Sequence, residues 1–547
     1  MTTTWLRWLF LAAACGTLVM PVAASDTPAG NLVSAGWLRA NIARADLVIL
    51  DASPAPVYAK AHIPGAVNAD WFSFGLEPAS PAVVEQRIRS WGVGPGRKVV
   101  VYDRGGDIMA TRLFFELYYH GVPPADLFVL DGGLAKWQAD GGHATSEPTP
   151  SPPPGDFRVA LQRDDARVRL PEFLNGTGDP AGTALVEALD AGYHFGEAKF
   201  FDRAGHVPRA IMLPAADFYN ADKTFKPAAE IARMARHLGI RPEQQVYAHC
   251  GGGVAASVPF FALRFLAGYP NVKLYVESQL EWLRDDRGLP YWTYDAPYMT
   301  RDRTWLAGWS SRMLRMYGVA RVSIVDVRAP AAYARGHVPF ALNVPSAEFL
   351  RHAAGPDRLP ALLGPAGVNA DDEAVIVSEG GITPAAALAF VLLEQAGQRK
   401  VSILLDSMDD WGLAGLPLAT EATVVGPRRT PQDVAVPATV YARVPRAGVL
   451  AAGAPDAAGG YPTLVVASGT AVPDRLPAGK IVHIPYTRLL NGDGTPKPAK
   501  DIWKILADAG VTRYATILCV AADPGEAAAN YVLLRLMGFP DVRVVLL

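Results

Sequence analysis

Short apolar runs, four or five residues long, recur along the chain at Leu47 to Asp51, Lys98 to Tyr102, Gln245 to His249, Val322 to Asp326, Ala374 to Ser378 and Thr463 to Ala467. They are too short for buried helices and too continuous for strands with one wet face, so they read as strands covered on both sides. Between them lie apolar segments of helical length that close on glycine. This alternation predicts an α/β fold in which parallel sheets are flanked by helices. Ligands of such sheets lie beyond the carboxyl ends of the strands.

The runs belong to a repeated unit. Asp51 ends one strand and is followed by Tyr58, His62, Pro64 and Gly65; Asp326 ends another and is followed by Tyr333, His337 and Pro339. Between them, Glu187 leads to His206 and Pro208, a third His-x-Pro turn. In each copy a second strand, a loop and an apolar helix follow. Counting back 18 residues from the helix-closing Gly121, Gly268 and Gly397 gives Asp103, Cys250 and Glu379 as the heads of three corresponding loops. A further strand then ends in an acid ahead of Trp137, Trp282 and Trp411. The C-terminal section is a worn fourth copy, with no histidine in the turn near Leu476 to Lys480 and with Cys519 one position early. Proline-rich or irregular linkers are expected at Ser146 to Pro154, Tyr294 to Trp309 and Thr420 to Ala438.

Composition narrows the function. The chain has 547 residues, half of them hydrophobic, with a formal net charge of −2, 46 prolines and 51 glycines. Nothing in it forms the basic run a nucleic-acid binder needs. The first 24 residues resemble an export signal: Arg7, the apolar stretch Leu9 to Val22, and small residues before Ser25. Pro21 interrupts that stretch, which is short for a membrane span, and the leucine before Cys15 is misplaced for a lipoprotein site. The mature protein is expected in the periplasm or secreted, without stable membrane insertion. Loss of the signal leaves Cys250 and Cys519, too few for a disulfide framework, although a bridge between the two is compatible with the sequence.

Cys250 is the candidate reactive residue. It follows a strand and precedes Gly251, Gly252, Gly253, Val254 and Ala255, then an apolar segment from Val254 to Leu266 that reads as a helix. Glycines let consecutive amides curl inward around one atom, and a helix N-terminus adds positive potential. Such a cradle favours the thiolate. A cysteine phosphatase uses similar chemistry but clamps its substrate with an arginine at the loop end; alanines stand there, which excludes it.

The Asp-ended strands, the His-x-Pro turns, the Cys loop and the Leu130-Asp131-Gly-Gly-Leu-x-x-Trp137 closing segment together resemble the rhodanese family of sulfurtransferases. The resemblance implies four tandem units after a signal peptide at 1–24: residues 28–145, inactive with Asp103; 165–298, catalytic with Cys250; 305–420, inactive with Glu379; and a degenerate unit at 436–547. It also implies that Cys250 takes sulfur from a small donor, forms a persulfide and passes it to cyanide or a thiol. No cofactor or metal is implied, and a sulfur-relay protein is a possible partner. Family members that use thiosulfate or mercaptopyruvate usually carry charged or hydroxyl side chains in the loop. The loop here offers backbone alone, is nearer the mercaptopyruvate type, and lacks that type's serine at Gly252. Arg203 and Arg209, flanking His206, are the candidates to anchor an anionic donor. The alternative is a scaffold whose units have largely lost their chemistry. His62, His206 and His337 are expected to bond backbone, Asp51 and Asp326 to anchor turns, the three tryptophans to be core, Cys519 to be structural, and His249 to face away from the sulfur.

Overall fold

The computed structural model describes residues 30–74, 79–427, 429–430, 434–451 and 460–547. The export signal expected at residues 1–24 lies outside them. The fold is α/β. Four five-stranded sheets follow one another along the chain, and each has the same internal strand order, 1-5-4-2-3, with every pair parallel. The third sheet takes in Thr300–Arg301, paired with Lys400–Leu404. The stretch from Tyr294 to Trp309, expected to be an irregular bridge, therefore holds an edge strand and a helix, Arg303–Trp309. The Asp302 carboxylate caps that helix by accepting the Trp305 amide at 2.7 Å. Among the described residues no helix is long and apolar enough to cross a membrane.

The units pack in pairs. One apolar core runs from Val48 and Leu113 in the first unit to Phe260 and Val276 in the second. Helix Met109–Tyr119 of the first unit meets helix Ser257–Phe261 of the second, with edge-to-face contacts Phe114–Phe261 at 4.8 Å and Phe115–Phe260 at 5.2 Å. A second core is shared by the third and fourth units across helices Pro384–Gln395 and Pro524–Leu536. These helices are apolar nearly all round because both of their faces are buried.

The repeated turns share one construction. His62 and His337 stack on Tyr58 and Tyr333, and their Nδ1 atoms meet those tyrosines' carbonyls at 2.9 Å. His206 uses its Nδ1 in the same way on the His194 carbonyl at 2.7 Å. The position after the proline is left-handed in all three turns: Gly65 (φ 78°), Arg209 (φ 67°) and Phe340 (φ 69°). Trp137, Trp282 and Trp411 are buried, each donating its indole N–H to a backbone carbonyl.

Candidate active site

Cys250 follows the central strand Gln245–His249, at the carboxyl edge of the second sheet. It is buried, with 2% of its surface exposed. Its backbone is pinned on both sides: the amide donates to Ser278 Oγ at 3.0 Å, and the carbonyl accepts the Gln279 amide at 3.0 Å. The apolar run from Val254 to Leu266, read as one helix, begins its helical path only at Ser257. It becomes a wider π-type turn over Ala262–Leu266. The reason is local. Gly253 is left-handed (φ 73°) and packed against the Val276 carbonyl, so the chain is still looping there. The first turn closes when the Ser257 amide reaches the Val254 carbonyl at 3.0 Å.

Six consecutive amides, Gly251 to Ala256, are consequently left with no acceptor among the described residues. Buried or half-buried N–H groups without acceptors are rare, and a run of them is a ready anion cradle. The short helix adds little, so the cradle is the loop itself. In the first unit the corresponding space is filled from within. The Asp103 carboxylate accepts the Gly105 and Ala110 amides, each at 2.8 Å. Burial pushes that carboxyl up to about 6 against the pull of those two amides. Glu379, at the head of the third loop, is exposed.

The sequence reading missed a charged neighbour of the loop. Arg112, fully buried on the first unit's helix, donates to the Gly253 carbonyl at 3.4 Å and pairs with Glu116 at 2.5 Å. Its guanidinium lies over the Trp71 and Phe115 rings. The first unit thus supplies a cation to the edge of the second unit's loop. The signal was present in the chain: Arg112 and Glu116, four apart, are the charged residues of an otherwise apolar helix. On the open side, Phe200 lies over Gly251 and stacks on Tyr193 at 4.0 Å. A side chain on Gly252 would meet nothing within 4 Å.

The two candidate anchors are used elsewhere. Arg203 donates to the carbonyls of Trp282, Leu283, Arg284 and Leu289 and lies over Tyr291, tying down the segment after the Trp282 helix. Arg209 donates to the Thr177 carbonyl from its left-handed turn position. Both are held by backbone rather than presented to the loop. His249 is fully buried against Phe173, on the opposite face of its strand from the core that holds Cys250. Cys519 is buried inside strand Thr516–Val520, where burial pushes its thiol well up. Neither cysteine forms a disulfide.

Comparison with known proteins identifies the family. The rhodanese-like domain family matches residues 34–140 and 307–414, the first and third units. A protein of Pseudomonas aeruginosa named "Probable 3-mercaptopyruvate sulfurtransferase" is 33% identical over 278 residues, covering 47% of this chain and 96% of that protein. The sulfur carrier protein TtuD of Thermus thermophilus is 29% identical over 272 residues, covering 46% of this chain and 93% of its own. Among solved structures, the anaerobic ergothioneine biosynthesis enzyme of Chlorobium limicola aligns with TM-score 0.44 and 24% identity, over 48% of this chain and 70% of that one. The chain belongs to the rhodanese-like family of sulfurtransferases.

Proposed function

We propose that the protein is a sulfurtransferase in which Cys250 of the second unit carries the sulfur. The observation that carries this reading is the run of six unpartnered amides beginning next to Cys250, set against the first unit, where the Asp103 carboxylate occupies the loop by accepting the Gly105 and Ala110 amides. Amides held in place by the fold stabilise a thiolate and a terminal persulfide without reorganising at each step. In the first half-reaction the Cys250 thiolate attacks the outer sulfur of a thiosulfate-type donor. A Sγ–S bond forms, and sulfite leaves with the electron pair of the broken S–S bond. With a 3-mercaptopyruvate-type donor the C–S bond breaks, and the carbon takes that pair and then a proton. In the second half-reaction cyanide or a thiolate attacks the outer persulfide sulfur and Cys250 leaves as thiolate. No general base is required, because each leaving group departs as a stable anion or is protonated by solvent.

Residues Gly251 to Ala255 would bind the transferred sulfur, and the open side at Gly252 is the approach for donor and acceptor. Conversion of thiosulfate or 3-mercaptopyruvate with cyanide to thiocyanate tests the reading, and Cys250→Ser abolishes it. The burial of Cys250, with Phe200 over the neighbouring Gly251, favours a second reading, a sulfur-relay scaffold. A wild-type chain that is inert with every donor supports that one instead.

A further inference from the structure

The second unit differs from its neighbours behind the His-x-Pro turn. Where the first and third units stack a tyrosine on the turn histidine, the second stacks His194 on His206, with ring centroids 3.7 Å apart. Each of these imidazoles has its Nδ1 occupied, His194 by the Glu187 carboxylate and His206 by the His194 carbonyl at 2.7 Å. Both Nε2 atoms then face one carboxylate: Asp295 Oδ1 is 2.6 Å from His194 Nε2 and 3.5 Å from His206 Nε2. The two nitrogens and the carboxylate oxygen lie within 4.8 Å of one another, and both histidines are fully buried.

His194 Nε2 hydrogen-bonds Asp295, whereas a neutral His206 that donates through Nδ1 presents an Nε2 lone pair and sets an acceptor against the Asp295 acceptor. His206 Nε2 accordingly has no hydrogen-bond partner. A buried, unpaired nitrogen aimed at a carboxylate calls for a cation between them. The third unit shows the contrast: His337 Nε2 is also unpartnered, and Asp326, the acid that ends that unit's strand, pairs with Arg328 at 2.6 Å. In the first unit the Thr149 hydroxyl meets His62 Nε2 at 3.5 Å.

We propose that His194, His206 and Asp295 form a binding site for a divalent transition ion of the zinc type, independent of the chemistry at Cys250. Imidazole and carboxylate ligands suit such an ion. The Nδ1 partners, Glu187 above all, are the outer contacts that fix ligating histidines in the correct tautomer. Binding displaces the proton shared by His194 Nε2 and Asp295 to solvent and turns the stacked rings so that both lone pairs meet the ion. The competing occupant is that proton. Burial alone would lower the His194 pKa, but Asp295 and Glu187 bring it up to about 9. The ion would do structural work. Asp295 lies beyond the second sheet, and Arg513 of the fourth unit stands 3.8 Å from its other oxygen while donating to the Met212 carbonyl at 3.0 Å. All three ligands belong to the second unit, so the ion would brace that unit at the place where Arg513 of the fourth packs on it.

The test is titration of chelator-treated full-length protein with Zn²⁺ and, separately, Co²⁺. The proposal expects about one ion per chain, visible absorption from tetrahedral Co²⁺ and a higher unfolding temperature with Zn²⁺. Asp295→Asn and His206→Gln should each weaken uptake about tenfold or more, while Cys250→Ser keeps it. Uptake unchanged in the first two variants, lost with the thiol, or absent from wild type overturns the site. Should those variants fail to fold, nitrogen NMR of wild type decides. Loss of the shared His194 proton on adding Zn²⁺ supports the site, and its persistence at saturating Zn²⁺ makes the proton the occupant.

Discussion

Arg112 belongs to the first unit, yet one of its hydrogen bonds ends on the second unit's loop at the Gly253 carbonyl. Glu116 is buried with it and has the His120 imidazole at 3.5 Å on its other oxygen, so Arg112→Met removes the main partner of a buried carboxylate and should cost about 3–5 kcal/mol. Adding Glu116→Gln should return most of that stability. Thermal unfolding read beside thiocyanate formation separates the two roles of Arg112, because the restored double variant should still transfer sulfur about tenfold more slowly. Equal activity in the double variant and wild type contradicts a role for Arg112 at the loop. Asp103 gives a pH signature. Its folded pKa of about 6 exceeds the unfolded carboxylate value, so the folded chain holds the extra proton, and stability is lost as pH rises from about 4 through about 6. Asp103→Asn removes this dependence. The stability of that variant relative to wild type should grow by up to about 3 kcal/mol between pH 4 and pH 7. A difference that does not change with pH would show that Asp103 is not protonated in the fold.

At the scale of the element, the loop is held open by one glycine and left open by another. A side chain on Gly253 would overlap the Val276 carbonyl and strain a left-handed residue (φ 73°), whereas Gly252 has open space around it. Gly253→Ala should therefore lower stability by about 2 kcal/mol or more and abolish transfer. Gly252→Ser should leave the melting temperature within a degree or two. Much of this was legible in the chain. Asp51, Glu187 and Asp326 at strand ends, the three His-x-Pro turns and the glycine-closed helices placed the parallel sheets and put Cys250 at a carboxyl edge. The start of the helix was not legible: the apolar run from Val254 looks helical, and only the packing of Gly253 on Val276 delays it. Nor could spacing show what Arg203 and Arg209 bond, since carbonyls give no signal in sequence. Arg112 acts from another unit, across a contact that only the folded pair creates. The covers on the first and third loops were equally hidden. The turn around Lys223 packs on Gly106 in the first unit, and the Gly494 carbonyl accepts the Ile382 amide in the third at 2.8 Å.

Across the whole molecule, four similar units make two halves, each built on a shared core. The halves meet through Phe195 stacked on Trp503 at 5.1 Å, Tyr514 donating to Asp217 at 2.7 Å, and Arg513 beside Asp295. Calorimetry should resolve two cooperative transitions, one for each core, and Arg513→Ala should move them apart. A single transition in that variant would contradict the division. The arrangement gives the first unit a structural part: it buries one side of the unit that carries Cys250 and brings Arg112 to its loop. The account rests on sulfur being carried at Cys250, and the mass of the peptide containing that residue, after treatment of the protein with thiosulfate or 3-mercaptopyruvate, tests this most directly. The account predicts one added sulfur atom on that peptide, removed by cyanide as thiocyanate and absent in Cys250→Ser. An unmodified Cys250 in a protein that still forms thiocyanate would contradict it.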